Sequence, residues 1–152
     1  MVQALVTSTA LITPTECETV SLEVLSSTRK FKLENLDIDL FRNQLCCSFE
    51  CKTIGSFLRI RTNSKYPDGD YVDLFFDPKD SCFTDLGETF RWMKYHSGSI
   101  LDSEKYAKIK SFCSENDIEF SNGKFSHKFN KDEDFKNCFE KFLAKIDEII
   151  SI

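Results

Sequence analysis

Glycine is scarce and never clustered: the chain has five, each standing alone. A Gly-rich loop able to cradle a nucleotide's phosphates is therefore missing. Only two histidines are present, His96 and His127, which leaves little material for acid–base chemistry built on imidazole. No apolar run approaches the ~18 residues that cross a bilayer, so no membrane partner is expected. Basic residues are outnumbered, 20 against 25 acidic, for a formal net charge of −5. That field repels phosphate and lacks the footprint of a nonspecific nucleic-acid binder. The opening "MVQALVTSTALITP" is mildly apolar but has no basic leader and no long apolar stretch, so no signal peptide is read there. A cytoplasmic, reducing compartment is the expectation.

What the chain does have is phenylalanine, 15 in 152 residues, which implies a core built from aromatic rings. The length suits one domain that buries about two thirds of its unfolded surface. Seven cysteines are an odd number, and Cys46, Cys47 and Cys51 are followed by no His or Cys at structural-zinc spacing. They are read as reduced thiols, mostly buried. No cofactor and no metal is expected.

Thr13-Pro14-Thr15-Glu16 is a capping-box arrangement that predicts a helix over about 14–25. Residues 1–30 are read as an N-terminal extension carrying that helix, and 31–152 as the domain. Leu33, Leu36, Leu40, Phe41, Leu45 and Phe49 recur at spacings of three and four, the mark of a second helix. "GSFLRIRTN" alternates as a half-exposed strand, "DYVDLFFD" reads as its antiparallel partner, and Pro67-Asp68-Gly69 supplies the turn. "SCFT" can form a third strand before the helix "DLGETFRWMKYHS", with Leu86, Phe90 and Met93 on one side. A stripe from Ile100 to Cys113 predicts a further helix with Asp102 at its cap, ended by Asn116-Asp117. Asn122-Gly123 signals a hairpin, and residues 132–150 place Phe135, Phe139, Phe142, Ile146 and Ile149 at helical intervals. The fold class is therefore α+β: a small antiparallel sheet, made of a hairpin, a third strand and a late hairpin, packed against several helices.

The ordered string "DGD" (Asp68, Gly69, Asp70), the apolar strand "YVDLFF" and "FTDLGETF" (Phe83 to Phe90), followed by helices and a late hairpin, resembles the bacterial and phage family called domain of unknown function 1828. The resemblance covers about residues 35–150. Where that family shows Thr-Pro before Asp-Gly-Asp, and Thr-Asp-Asp-Gly in the second motif, this chain reads Thr62-Asn63 and Thr84-Asp85-Leu86-Gly87. The resemblance implies an intracellular domain of bacteria, phages and mobile elements, and it implies no particular activity.

The carboxylates raise the question of catalysis. Asp68 with Asp77-Pro78-Lys79 imitates the Asp…Asp-x-Lys pattern of metal-dependent nucleases. However, the proline favours a turn, and a straight strand between the two acids separates them by roughly 25 Å. A second constellation, Asp70 or Asp73 with Asp85 and Glu88, could be gathered by neighbouring strands and the helix start, and would suit a divalent cation and nucleotide or nuclease chemistry. The competing reading gives the same residues structural duties: Asp68 and Gly69 serve the turn, Thr84 or Asp85 caps the helix, and Glu88 meets its dipole. Neither histidine has an orienting partner at a recognisable spacing from a cysteine or serine nucleophile.

For binding, Trp92 beside Arg91, with Tyr95 one turn on, forms an aromatic and basic surface, and Tyr71, Arg59 and Arg61 lie on the adjoining strands. The expected function is a non-enzymatic protein-interaction module whose contacts are Arg59, Arg61, Tyr71, Arg91, Trp92 and Tyr95. A metal-dependent enzyme using the acidic cluster is the first alternative, and a nucleic-acid-binding regulator the second. The partner's identity and the oligomeric state, a homodimer included, are left open by the sequence.

Overall fold

A computed structural model of the chain describes residues 38–96 and 102–152. The helix expected over 14–25, the positions Leu33 and Leu36, and the start of the helix expected from Ile100 lie outside the described residues. In chain order the elements are α1 (Ile38–Leu45), β1 (Glu50–Ile54), β2 (Phe57–Lys65), β3 (Tyr71–Asp77), β4 (Cys82–Thr84), α2 (Glu88–His96), α3 (Ser103–Glu115), β5 (Glu119–Ser121), β6 (Lys124–Lys128) and α4 (Phe135–Ser151). They belong to one compact unit, Lys32–Ile152.

The strands form a six-stranded sheet in the order β1-β2-β3-β4-β6-β5, antiparallel at every pairing. The fold is thus α+β, and the two hairpins foreseen from the sequence are halves of a single sheet. Their junction is β4 against β6, with Cys82, Phe83 and Thr84 opposite Lys128, His127 and Ser126.

Period-two alternation sets the two faces. Leu58, Ile60 and Thr62 of β2 and Val72, Leu74 and Phe76 of β3 are buried, while Arg59, Arg61, Tyr71, Asp73 and Phe75 point the other way and stay partly exposed. The buried face carries the ring cluster that the phenylalanine count implied. Phe83 is fully buried, with ring centroids 5.1 Å from Phe76, 5.0 Å from Phe135 and 5.6 Å from Phe139. α4 closes that face with Phe135, Phe139, Phe142, Ile146 and Ile149, and α1 adds Phe41 and Leu45. Each fully buried ring contributes about 1.5–3 kcal/mol, so the cluster dominates the stability of the fold.

One boundary and one strand differ from the sequence reading. The helix expected to reach Phe49 stops at Leu45, where a turn returns the N–H groups of Ser48 and Phe49 to the Leu45 carbonyl, at 3.0 and 2.9 Å. The chain then makes β1, which the helical stripe concealed. Its signal was the two-residue connection Gly55-Ser56 between the paired residues Ile54 and Phe57, with Gly55 at φ 59°. In the late hairpin, Asn122 and Gly123 both have positive φ, 52° and 74°, as a primed turn requires. Gly123 is constrained twice, because a Cβ there would lie 2.9 Å from Cδ1 of Phe90.

The expectation of reduced, mostly buried thiols holds in part, and it fails at Cys47, which is disulfide-bonded. Cys113 and Cys138 are buried, Cys51 and Cys82 are half-buried, and Cys46 is exposed. Burial pushes the thiols of Cys51, Cys82, Cys113 and Cys138 up to about 11, so these four stay protonated and poorly nucleophilic at neutral pH. Among the described residues, no helix is long and apolar enough to cross a membrane.

Candidate functional site

The four acids that could have formed a catalytic cluster are drawn in different directions. Asp85 is fully buried between the end of β4 and the start of α2. Its Oδ1 accepts from the N–H of Gly87 and of Phe125, both at 2.9 Å, and its Oδ2 from that of Thr89 at 3.1 Å. It therefore caps α2 and ties the helix to β6. Burial raises its pKa, against the opposing pull of those N–H groups. Asp73 is clamped by two guanidiniums: Arg59 donates to it through Nε at 3.0 Å and through Nη2, and Arg61 through Nε at 3.3 Å. Glu88 pairs with Arg91 on the surface at 3.2 Å, a contact of small energetic weight. Asp70 lies exposed past the β2–β3 turn, its carbonyl taking the Tyr66 N–H at 2.8 Å.

Among the described residues, no group of three or more His, Cys, Asp or Glu side chains is arranged to hold a metal ion. The nuclease-like pair falls at opposite ends of β3. Asp68 sits in the turn before the strand, and Asp77 accepts from the N–H of Lys79 at 2.9 Å in the turn after it. His127 stacks on Phe142, with ring centroids 6.1 Å apart, and its Nδ1 lies 3.0 Å from the Asp117 carbonyl oxygen.

A feature that sequence reasoning missed lies beside α2. Trp92 is sandwiched between Tyr66 and His96, each with its ring centroid 5.0 Å away and tilted by 16° and 17°. Asp68 locks the stack from the turn: its Oδ2 accepts from Trp92 Nε1 at 2.8 Å and lies 3.0 Å from His96 Nε2. The hydrogen bond from Trp92 is the main reason the Asp68 carboxyl is held below its ordinary pKa. Below the stack, the Tyr66 hydroxyl meets Thr89 Oγ1 at 3.2 Å, and burial pushes the Tyr66 phenol up to about 12. Trp92 and His96 are one helical turn apart, a legible pairing. Tyr66 and Asp68 come from a turn more than 20 residues earlier, and nothing in the local pattern announces them.

The stack forms one wall of a cleft of about 640 Å³, lined by the partly exposed face of β2 and β3, by the turn between them and by α2. Its lining includes Arg59, Tyr71, Arg91, Trp92 and Tyr95, and also Asp70, Asp73 and Glu88. Arg61 stands outside the cleft, joined to it through Asp73 and lying 5.8 Å from the centroid of the Tyr71 ring. Asp85 lies behind the wall, in the protein interior. Residues taken from two strands and a helix are therefore assembled on one concave surface, with Tyr95 77% and Tyr71 48% exposed.

No curated protein and no solved structure matches the chain. A family model does match, over residues 62–149. That segment runs from the buried Thr62 of β2, through the Asp68 turn and the Asp85 bracket, to the end of α4, and so contains most of the cleft. The chain belongs to the family described as domain of unknown function DUF1828.

Proposed function

We propose that the protein is a non-enzymatic interaction module that binds a protein partner in the cleft between β3 and α2. The observation that carries this reading is the convergence of Arg59, Tyr71, Arg91, Trp92 and Tyr95 on one concave surface. Tyr, Trp and Arg are the side chains that most often dominate binding energy at interfaces. The rigid Tyr66–Trp92–His96 stack supports it further, because an anchor already fixed before binding loses little rotamer freedom on association. The engagement of Asp73 by two arginines and the burial of Asp85 weigh against a metal-assisted enzyme. The net charge of −5 weighs against a nucleic-acid regulator. The bacterial and phage setting implied by the family resemblance is part of the proposal, and so is a cytoplasmic location.

The test is site-specific photocrosslinking in the native cell, with the reactive group at Tyr95, at Tyr71 or at the exposed Lys110 of α3 as a control. One protein crosslinked from both tyrosines and not from position 110, and lost on Arg91→Glu, is the expected result. Equal crosslinking from all three positions would refute a cleft-specific partner.

A further inference from the structure

β4 is short. It pairs only with Phe75, Phe76 and Asp77 of β3, after which the chain turns away at Asp85 into α2. The first half of β3 therefore runs past the end of its neighbour, and α2 stands across the gap. Its Glu88, Arg91, Trp92 and Tyr95 form a stripe at i, i+3, i+4 and i+7 that faces the cleft.

The backbone polarity of that half-strand can be read from one contact. Thr62 of β2 donates its hydroxyl to the Val72 carbonyl at 2.7 Å, so that carbonyl points toward β2. The peptide bond joining Val72 to Asp73 is trans, which places its C=O and N–H on opposite sides. The Asp73 N–H accordingly points away from β2 in the plane of the sheet, toward the side where β4 ends and α2 begins. Among the described residues, neither β4 nor any loop backbone supplies it with an acceptor. An open strand edge of this kind is a template for a further strand.

Charge favours one class of occupant. The carboxylates lining the cleft are Asp70, Asp73 and Glu88, against the guanidiniums of Arg59 and Arg91. Asp73 and Glu88 are engaged by arginines, whereas the Asp70 carboxylate enters no salt bridge among the described residues. The exposed rings of Tyr71 and Tyr95 offer faces that attract cations; that of Tyr71 already has Lys65 Nζ 4.6 Å from its centroid. We infer that the cleft takes an extended segment of a partner protein as an added strand on β3, in line with β4, with a Lys or Arg of that segment directed at Asp70. This deepens the proposed function and rests on it.

Trp92 is the only tryptophan and lies in the cleft wall, so its fluorescence reports occupancy directly. The probes are short peptides that alternate valine or tyrosine with lysine, a counterpart with glutamate in place of lysine, and two versions of the first, N-methylated on one or the other set of alternate amides. The lysine peptide should change the Trp92 emission saturably. N-methylation on the β3-facing edge should weaken it about three- to tenfold through the lost backbone bond, and Asp70→Asn should weaken the lysine peptide alone. Equal binding by both N-methylated registers would overturn strand addition while leaving the cleft as a binding site. Equal or tighter binding by the glutamate peptide would overturn the basic preference. If no peptide alters Trp92 emission although Tyr95 crosslinks a partner, strand addition fails and the interaction module stands. If both experiments are silent, both readings fail.

Discussion

Asp85 offers the sharpest test of how the candidate site is built. Replacing it with Ala removes the acceptor for three N–H groups, those of Gly87, Thr89 and Phe125, at a residue with no solvent exposure. A buried donor left unsatisfied costs about 1–3 kcal/mol. Three of them sum to about 3–9 kcal/mol, and water entering the emptied site brings the expected loss to about 3–6 kcal/mol. That is a large part of the ~5–15 kcal/mol stability of a domain. Asp85→Asn keeps the shape and one oxygen, but it turns an amide N–H₂ toward the Thr89 N–H, so it loses one bond and about 1–3 kcal/mol. Urea unfolding followed by Trp92 fluorescence gives both values, and amide NMR reports on the three donors one by one. Because burial raises the folded-state pKa of Asp85, the folded protein holds this proton more tightly than the unfolded chain. The stability contributed by that proton is full below the unfolded value of about 3.9 and is lost as pH rises through the folded one. The gap between wild type and Asp85→Asn should therefore narrow as pH rises above the ordinary Asp range. An Ala variant within about 1 kcal/mol of wild type, or an Asn variant worse than Ala, would refute the bracket.

Leu86 adopts φ 52°, a left-handed conformation that costs an L-residue roughly 1–2 kcal/mol. Leu86→Asn should stabilise the protein by about 0.5–1 kcal/mol in thermal melts. Phe83→Ala should cost about 3–5 kcal/mol in the same assay, since its ring lies at the centre of the aromatic cluster. The hydrogen bond from Trp92 depresses the Asp68 pKa; its contribution is therefore present above the unfolded pKa of about 3.9 and lost as pH falls through the lower folded value. Acid titration should shift the emission of Trp92 below the ordinary Asp range, and Asp68→Ala should show the shifted emission already at neutral pH.

The acidic segment shows where sequence reasoning works and where it stops. Asp102 at a helix cap, Asn122-Gly123 in a primed turn and Asp77 in a turn were legible because a short polar side chain next to its own backbone has few alternatives. β1 was lost because Leu45 and Phe49 continue a helical spacing that the structure ends four residues earlier. Asp85 was legible as a helix cap, yet its third contact, to Phe125, spans 40 residues, and no local rule names that partner. Asp68 was legible as a turn residue and invisible as the lock on Trp92.

The sequence by itself determined the elements that depend on periodicity and turn chemistry: the alternating β2 and β3, the cap of α3, the late hairpin and the amphipathic α4, whose Phe and Ile spacing permits one buried face. It also determined that the core is aromatic and that the α+β class follows from the order of those elements. Only the tertiary structure decided that β6 pairs with β4, that Asp70, Asp73, Asp85 and Glu88 go to separate duties, and that α2 stands across from the open half of β3 to make a cleft. Those outcomes depend on which side chains meet across dozens of residues. Such meetings are fixed by packing the whole ring cluster at once, and local preference does not encode them.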